Sequence, residues 1–548
     1  YQVEVLSKAG PTQVSIGVKA GNKGMTETTD ILVNYPNPYE TQTKSYKILS
    51  GESKSFKLGP SGYPDASKSQ LQISSYKIPN MLQYATELIQ YPYGCLEQTT
   101  SASFGQLYLD DLIDLKPAEV KKQKENLEAG VVRILSLSDG KGRFNYWSNG
   151  YYDDWSNLYA GNFLIEYQKK VKNTSTNDIF QSWITNMTNT ANNWTPASSE
   201  NEYAKENATY RQAYRLFLLA KTGKPAKSAM NRLLNMVNSK ESGVYYLLAA
   251  TYQLSGFESK ALELIKVAEQ KIQYNDQNNT NYYYYNNNIS IAAIIVECLS
   301  YIPSQKKNME EVYSDLVDQV NKSWLSTYNK GYIFLATSKM YGSLKNLTSK
   351  NEYNVIINGK KESMSLSSGI IHTISTSGAE IKNIEINNIG KTDLIINQFD
   401  RFIDKNLTKE ANEQNLNIEL SYYNNTQGRA GTDSIRMGDD LTCSIAIKNP
   451  TNFTQEHLAL NYRVPSGFEL INPRLNDEDF AVRSINYQDY KDDRVYTFFS
   501  LNAGQTVYLT FKIKAAFKGN FFKPMVQCEH MYRGDIYAKT GTGRVFIK

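Results

Sequence analysis

The spacing of apolar residues changes twice along this chain, and this limits the folds open to it. Over the first 58 residues apolar and polar side chains alternate, as in strands that bury one face of a sheet, and Gly, Pro and Asn separate the runs. From about residue 78 to 348 apolar residues recur every three or four positions, which predicts amphipathic helices. Alternation then returns and continues to the end. This order predicts a helical domain inserted between two halves of a sheet domain and followed by a separate sandwich.

We therefore divide the sequence into four segments. Residues 1–60 and 351–416 are expected to form the two β-rich halves, and residues 61–350 the helical domain. Residues 417–548 contain several strand-like runs between turn residues, which predicts a β-sandwich. A helical-hairpin solenoid is the alternative for the helical part, because "YYLLAATYQLSGFESKALELIKVA" has the spacing of such a repeat. The sequence holds one good copy and one poor one, and a solenoid needs at least about three.

Composition excludes several classes of protein. Apolar residues make up 41% and charged residues 21% of the 548 positions, which is ordinary for a chain with several folded cores. No apolar run reaches the roughly 18 residues that a membrane span requires. The net charge of +5 is spread among acidic residues without a basic run, so we expect no nucleic-acid partner. The sequence starts at Tyr1 without an initiator methionine or a targeting segment, so we expect a piece of a longer protein.

The cysteines and histidines do not have the spacing of a metal site. The four cysteines are Cys95, Cys298, Cys443 and Cys528, and the three histidines are His372, His457 and His530. They form neither a CxxC pair nor a Cys/His cluster, so we expect no metal and no cofactor. Whether Cys443 and Cys528 form a disulfide stays open, since pairing requires close Cα atoms.

One cysteine lies in an unusual stretch, "YPYGCLEQTT", at residues 91–100. Residues three apart on a helix or tight turn face the same side, so Cys95 Sγ can reach the amide carbon of the Gln98 side chain. Attack there would release ammonia and leave an intramolecular thioester. Because a thiolate is a good leaving group, exposed amines or water would open this bond unless it were kept dry. The alternative is a buried cysteine at a helix start, with Glu97 and Gln98 on the solvated face.

Three stretches carry a resemblance to a known family. "YPYGCLEQTTSASFGQLYL" (91–109) resembles the Gly-Cys-x-Glu-Gln thioester signature of the alpha-2-macroglobulin and complement family, in the Cys-Leu-Glu-Gln form typical of its bacterial members. The motif positions are Gly94, Cys95, Leu96, Glu97 and Gln98. Residues 142–167 resemble helices of the family's thioester domain, and residues 490–532 its last macroglobulin-like domain.

This resemblance implies a fold and a function. The fold would be an α/α toroid thioester domain inserted between CUB-type β-sheet segments, followed by a C-terminal macroglobulin-like β-sandwich. In this family a protease cuts a bait segment, the molecule rearranges, and the exposed thioester captures the protease covalently. The chain would be the C-terminal part of such an inhibitor and not an enzyme. Its partners would be target proteases and the N-terminal macroglobulin-like and bait domains of the same protein.

The resemblance also indicates how the bond is used and where. In the complement branch a histidine of the thioester domain first takes the acyl group, but no histidine lies between residues 60 and 350. We therefore expect capture of lysine amines rather than hydroxyls. We expect His530 at a surface or a β-edge, and the alternative is that it approaches the site through contact between domains. A periplasmic or cell-surface location is implied, with membrane attachment only through an anchor on an N-terminal part absent from this sequence.

Four residues are candidates for shielding the thioester from water. Tyr91 and Tyr93 precede the cysteine, and Met531 and Tyr532 lie in "EHMYRG", where the bacterial pattern also has Met-Tyr. Methionine and aromatic rings pack adaptably, with contacts worth about 0.3–1.5 kcal/mol each, so they suit a removable lid. The alternative is that Met531 and Tyr532 fill the core of the sandwich.

Two other functions stay open from the sequence. The chain can be a macroglobulin-like binding or structural protein without a functional thioester. It can also be a glycosidase-like toroid, which needs two convergent acids, and "YYDDW" offers Asp153 and Asp154. Neighbours in sequence usually point apart, which counts against this acid pair.

Overall fold

The computed structural model describes most of the chain. The described residues are 9–90, 94–148, 150–171, 177–196, 202–271, 273, 288–320, 325–341, 350–367, 371–424, 428–431, 435–473 and 485–548. Among them, no helix combines the length and the apolar character needed to cross a membrane.

A sheet domain is built from strands on both sides of the helices. The strands before the helices are β1 (Gly10–Ala20), β2 (Lys23–Val33), β3 (Tyr39–Ile48), β4 (Ser53–Leu58) and β5 (Lys68–Ser74). Those after them are β6 (Lys350–Ile357), β7 (Lys360–Ser367), β8 (His372–Ser377), β9 (Lys382–Asn388) and β10 (Leu394–Ile403). They form two antiparallel sheets, in the orders β3-β10-β5-β8 and β4-β9-β6-β7, around one apolar core. Each sheet mixes early and late strands, which confirms that the helical domain is an insertion.

Strands β1, β2 and β5 differ from the expected segments. Strand β5 lies within the range assigned to the helical domain, but it pairs with β10 and β8 in the sheet domain. Its residues are nearly all buried, including the polar Gln70 and Gln72 that alternate with Leu71 and Ile73. Strands β1 and β2 pair only with each other, in a separate hairpin outside the two sheets.

The helical domain is a closed double ring. Its helices are α1 (Met81–Gln90), α2 (Leu96–Leu112), α3 (Pro117–Ser136), α4 (Asp154–Val171), α5 (Asn177–Asn193), α6 (Glu202–Lys221), α7 (Lys227–Met236), α8 (Ser242–Leu254), α9 (Glu258–Glu269), α10 (Asn288–Leu299), α11 (Lys306–Val320) and α12 (Thr327–Tyr341). The even-numbered helices contact one another in sequence order, and α12 returns to α2.

Burial explains the two rings. Helices α2, α4, α8 and α10 are buried on nearly all sides, as helices in the centre of a domain must be. Helices α3 and α11 bury a single stripe and expose the rest. A ring closed by α12 and α2 confirms the expected α/α toroid and excludes an open solenoid. Two short 3₁₀ helices, Pro64–Ala66 and Pro303–Gln305, complete the helical elements among the described residues.

The C-terminal part is a β-sandwich, as expected. Its strands are β11 (Asn412–Gln414), β12 (Asn417–Asn424), β13 (Gly428–Ala430), β14 (Asp440–Lys448), β15 (Gln455–Arg463), β16 (Phe468–Leu470), β17 (Ile485–Tyr490), β18 (Arg494–Leu501), β19 (Thr506–Ala515), β20 (Gly519–Lys523), β21 (Gln527–His530), β22 (Arg533–Lys539) and β23 (Gly543–Ile547). One sheet has the order β11-β22-β21-β15-β18-β17 and the other β13-β12-β14-β19-β16. Cys443 and Cys528 lie in different sheets of this terminal sandwich, and both thiols are free.

The six-stranded sheet of the terminal sandwich docks on the helical domain. Trp147, in the segment between α3 and α4, stacks on Tyr487 at 4.6 Å and packs against Phe498 at 4.9 Å between ring centroids. Met531 and Tyr532, which join β21 to β22, belong to the apolar core of the helical domain. The contact therefore brings the β21–β22 turn to the start of α2.

Candidate functional site

Cys95 occupies the N-cap of α2. Its backbone is extended, with φ −67° and ψ 167°, and its Sγ accepts a hydrogen bond from the Gln98 backbone N–H at 3.5 Å. The preceding segment is held by two further bonds, from the Leu96 N–H to the Tyr146 carbonyl at 2.9 Å and from Arg133 to the Gly94 carbonyl at 3.3 Å. The side chain of Cys95 is fully buried. The helix start thus fixes the thiol on the same turn as Gln98.

The carboxamide of Gln98 is buried without a hydrogen-bond partner. The residue is 3% exposed, and neither Nε2 nor Oε1 is hydrogen-bonded among the residues that the structure describes. Leaving buried polar groups unpaired costs about 1–3 kcal/mol. Such a group in a folded core is a candidate for chemistry, and closure of a thioester would remove the amide nitrogen altogether.

Glu97 is buried rather than solvated. It is 0% exposed, and its carboxylate accepts hydrogen bonds from Ser101 Oγ at 2.7 Å and from Thr327 Oγ1 at 3.0 Å to each oxygen. Tyr532 also hydrogen-bonds to it. Burial raises the pKa of Glu97 to about 7, although these three hydrogen bonds act in the opposite direction. The alternative that placed Glu97 and Gln98 on a solvated face is therefore wrong.

The thiol of Cys95 is held in its neutral form. Burial, followed by the nearby charge of Glu97, raises its pKa well above the ordinary value, while a hydrogen bond with Tyr146 acts against this. Since the thiolate is the nucleophile of cysteine chemistry, the sulfur needs a proton acceptor nearby before it can react.

Met531 and Tyr532, which we call the lid residues, come from the terminal sandwich and belong to the same buried core as Cys95. Each is 3% exposed, and the Tyr532 hydroxyl forms a hydrogen bond with the Tyr146 hydroxyl. The backbone N–H of Met531 donates to the His457 carbonyl at 3.0 Å, and that of Tyr532 donates to His530 Nδ1 at 3.0 Å. The lid residues belong to the core of the helical domain and not to that of the sandwich, so the core-filling alternative is wrong. Tyr91 and Tyr93 lie outside the described residues.

Comparisons with known proteins agree with the fold and with the motif. A family model described as the bacterial alpha-2-macroglobulin MG10 domain matches residues 416–535, and an A-macroglobulin TED domain model matches residues 69–191. Two separate parts of the chain thus match domains of alpha-2-macroglobulins. It is 23% identical over 557 residues to the alpha-2-macroglobulin of Rickettsia conorii, covering 98% of this chain and 28% of that protein. With the Escherichia coli alpha-2-macroglobulin the identity is 22% over 496 residues, 86% of this chain and 29% of the relative.

Solved alpha-2-macroglobulin structures have the same fold. The native Escherichia coli protein, in a form spanning domain MG7 to the C-terminus, superposes with a TM-score of 0.82 at 19% identity, covering 99% of this chain and 88% of that one. Salmonella alpha-2-macroglobulin reacted with methylamine gives a TM-score of 0.80 at 21% identity, covering 99% of this chain and 36% of that one. The chain spans less than a third of the two curated relatives.

The histidines of this chain lie differently from the expectation. His530 is 1% exposed on β21, an inner strand of its sheet, rather than at a surface or a β-edge. It is buried because the sheet docks there on the helical domain. The ring of His457 lies 5.2 Å from that of Tyr532 and 5.9 Å from that of Tyr146. Burial lowers the pKa of His457 to about 4 and that of His530 well below its ordinary value, so both are neutral near pH 7.

Sequence reasoning missed three residues of this site, namely Tyr146, Thr327 and His457. Tyr146 lies in the stretch at 142–167 that resembles the family's thioester domain, so that resemblance was a signal for it. Thr327 is 230 positions from Glu97, and His457 is 362 positions from Cys95. Nothing in the sequence around either residue indicates a place in the site.

The two aspartates of "YYDDW" have structural roles. Asp153 accepts a hydrogen bond from the Ser156 N–H at 2.7 Å, where it caps the start of α4. Asp154 binds Arg215 through both carboxylate oxygens, at 2.8 and 2.6 Å. The neighbouring cavity of about 580 Å³ has Asp154 as the one carboxylate among its described lining residues. A glycosidase needs two acids facing one cavity, so this arrangement does not favour that alternative.

Proposed function

We propose that this chain carries the reactive thioester of a protease inhibitor. In the closing step Cys95 Sγ attacks the side-chain carbonyl carbon of Gln98. The S–H and C–N bonds break, an S–C bond forms, and ammonia leaves with the thiol proton. The observation that carries the proposal is a buried thiol on the same helical turn as a buried carboxamide without hydrogen bonds. The lid residues then separate the finished bond from water.

Trapping would follow from movement of a whole domain. Because Met531 and Tyr532 come from the terminal sandwich, local motion of the helical domain does not uncover Cys95. We expect cleavage of a bait segment elsewhere in the full protein to move the sandwich. A lysine amine of the protease then attacks the acyl carbon, forms an amide with residue 98 and releases the Cys95 thiol. The inhibitor acts once and does not turn over.

Primary amines are the expected nucleophiles. The two histidines near the site belong to the terminal sandwich, so they move away with the lid residues when the thioester is exposed. No histidine of the helical domain then remains to take the acyl group. The Salmonella relative was crystallised after reaction with methylamine, a small primary amine. The proposal also covers partners and location. The partners are target proteases and the upstream macroglobulin-like and bait domains of the same protein, and the location is the periplasm or the cell surface.

A labelled amine tests the reactive pair. Incubating the purified protein with a fluorescent primary amine should attach one label at residue 98, because the acyl group resides there. Cys95→Ala should abolish labelling, since no thioester forms. Cys298→Ala, which removes another fully buried thiol from the same domain, should leave labelling unchanged. Peptide mapping locates the label. Equal labelling of Cys95→Ala and the unmodified protein would refute the proposed reactive pair.

A further inference from the structure

A chain of hydrogen bonds connects the Cys95 thiol with the Glu97 carboxylate through two tyrosines. Cys95 is hydrogen-bonded to the hydroxyl of Tyr146, and that hydroxyl to the hydroxyl of Tyr532. Tyr532 in turn is hydrogen-bonded to Glu97. Tyr146 comes from the segment between α3 and α4, and Tyr532 comes from the β21–β22 turn. This series of hydrogen bonds therefore exists only while the terminal sandwich is docked. All four side chains are at most 3% exposed.

The order of donors and acceptors gives this chain a direction. An ionised carboxylate only accepts hydrogen bonds, and a tyrosine hydroxyl has a single proton to donate. Tyr532 therefore donates to Glu97, which leaves its oxygen to accept from Tyr146. The oxygen of Tyr146 is then left to accept from the S–H of Cys95. Once that proton has moved, the Tyr146 hydroxyl donates a hydrogen bond to the thiolate, which is the form that this bond favours. Every proton along the chain is aligned to move from the sulfur towards Glu97.

We propose that Glu97, Tyr532 and Tyr146 form a proton relay that closes the thioester. Tyr532 then takes part in making the bond that it later covers. This inference rests on the proposed function. As Cys95 Sγ attacks the Gln98 carbonyl carbon, the thiol proton passes to Tyr146, the Tyr146 proton to Tyr532, and the Tyr532 proton to Glu97.

The second half of the reaction returns the proton. In the tetrahedral intermediate the nitrogen and the sulfur are bonded to the same carbon. The Tyr146 hydroxyl, which accepted the thiol proton, therefore lies beside the nitrogen. Glu97 gives its proton back along the two hydroxyls, the C–N bond breaks, and the nitrogen leaves as ammonia. The S–H and C–N bonds are exchanged for an S–C and an N–H bond, and no other reactant is needed.

The surroundings explain why such a relay is needed. The thiol and the amide are shut away from solvent, so bulk water cannot accept or supply the proton. An amide nitrogen is also a poor leaving group until it is protonated. A group that first accepts and then donates a proton works best when its pKa is near the ambient pH, which holds for Glu97 at about 7.

The rate of closure separates this relay from a passive lid. Full-length chain made by cell-free translation is sampled over time, and intact mass gives the fraction that has lost one ammonia. Tyr532→Phe keeps the ring of the lid and removes only its hydroxyl. General acid–base catalysis contributes about 10²- to 10⁴-fold, so closure of this variant should slow by about a hundredfold or more. Tyr146→Phe and Glu97→Gln should slow closure likewise.

A matched variant controls for the loss of a buried hydroxyl. Tyr214 is fully buried in the same ring of helices, and its hydroxyl is hydrogen-bonded to that of Tyr332, away from the relay. Tyr214→Phe should close at the unmodified rate. The Tyr532→Phe molecules that do close are then treated with methylamine, and the slow reaction of the unmodified protein is the reference for an intact lid. A merely loosened lid would instead speed that reaction.

The outcomes identify which proposal fails. If the unmodified protein never loses ammonia, the proposed function itself is refuted. If the unmodified protein closes, and Tyr532→Phe and Glu97→Gln close at the same rate, the relay is refuted and Tyr532 is a cover alone. Should Tyr532→Phe fail to fold, Tyr146→Phe tests the same step from the helical domain, and closure at the unmodified rate would refute the relay.

Discussion

Replacing both Met531 and Tyr532 by alanine is expected to open the thioester to water on the order of a hundredfold faster than in the unmodified protein. Truncating large buried side chains costs about 2–5 kcal/mol each. Two such truncations cost at least about 4 kcal/mol in total. A loss of only about 3 kcal/mol from the docked state already raises the undocked population roughly a hundredfold, because each 1.4 kcal/mol is about a factor of ten. Appearance of free thiol at Cys95 in neutral buffer measures the rate.

A core variant of the same sandwich provides the control for this experiment. Leu509 is 1% exposed in the core between the two sheets of the terminal sandwich and is not part of the core of the helical domain. Leu509→Ala should destabilise the sandwich by about 2–5 kcal/mol while leaving hydrolysis nearly unchanged. Unchanged hydrolysis in the lid double variant, or equal acceleration by Leu509→Ala, would show that the lid residues do not shield Cys95.

The second large effect concerns a buried charge at the centre of the helical ring. Lys221, at the end of α6, is 0% exposed at its side chain and forms ion pairs with Glu166 of α4 at 2.8 Å and with Glu297 of α10. Lys339 of α12 contacts Glu166 at 2.6 Å. These residues connect four helices of the inner ring. Lys221→Met leaves the buried carboxylate of Glu297 without its counter-charge, which typically costs about 3–5 kcal/mol.

Urea unfolding followed by helical circular dichroism measures this loss. Lys224→Met, three residues later and exposed, should change the unfolding free energy by less than about 0.5 kcal/mol. The double variant Lys221→Met with Glu297→Gln should recover part of the loss, because one uncompensated charge is removed. A Lys221→Met protein as stable as Lys224→Met would contradict the assigned role of the ion pairs.

The same ion pairs predict how stability depends on pH. Burial opposes the charge on Glu166, but Lys221 and Lys339 outweigh it and hold the pKa of this carboxyl well below its ordinary value of 4.5. Since the folded-state pKa is the lower one, the stabilisation is present above about pH 4.5 and is lost as the pH falls further. When the unfolding free energy is measured against pH, Lys221→Met should therefore lose less stability than the unmodified protein as the pH falls below about 4.5.

The order of domains was predictable because hydrophobic spacing is a local property. Helices such as α3, which buries one stripe, and strands such as β19, which alternates, show in the sequence the period of the face that they bury. Strand β5 was missed because it is short and has only two apolar residues, Leu71 and Ile73, so its local signal is weak. The placement of Cys95 and Gln98 on one helical turn was predictable for the same reason, since they are only three residues apart.

The surroundings of the pair were not predictable from local patterns. Tyr532 reaches Tyr146 across 386 positions, and Thr327 reaches Glu97 across 230, so only the closed ring and the docked sandwich bring them together. Glu97 shows why a local pattern is not enough. A carboxylate is rarely buried without partners, and its partners here come from α2, α12 and the terminal sandwich. A histidine expected at a surface, His530, is buried for the same reason.

The most direct test of the account is the state of Cys95 in freshly purified, untreated protein. Intact mass is measured, and the cysteines are alkylated under denaturing conditions and mapped. The account predicts a mass below that of the sequence by one ammonia, with alkylation at Cys298, Cys443 and Cys528, and at Cys95 only after methylamine treatment. A protein with the full sequence mass, an alkylatable thiol at Cys95 and an unmodified carboxamide at Gln98 would contradict it.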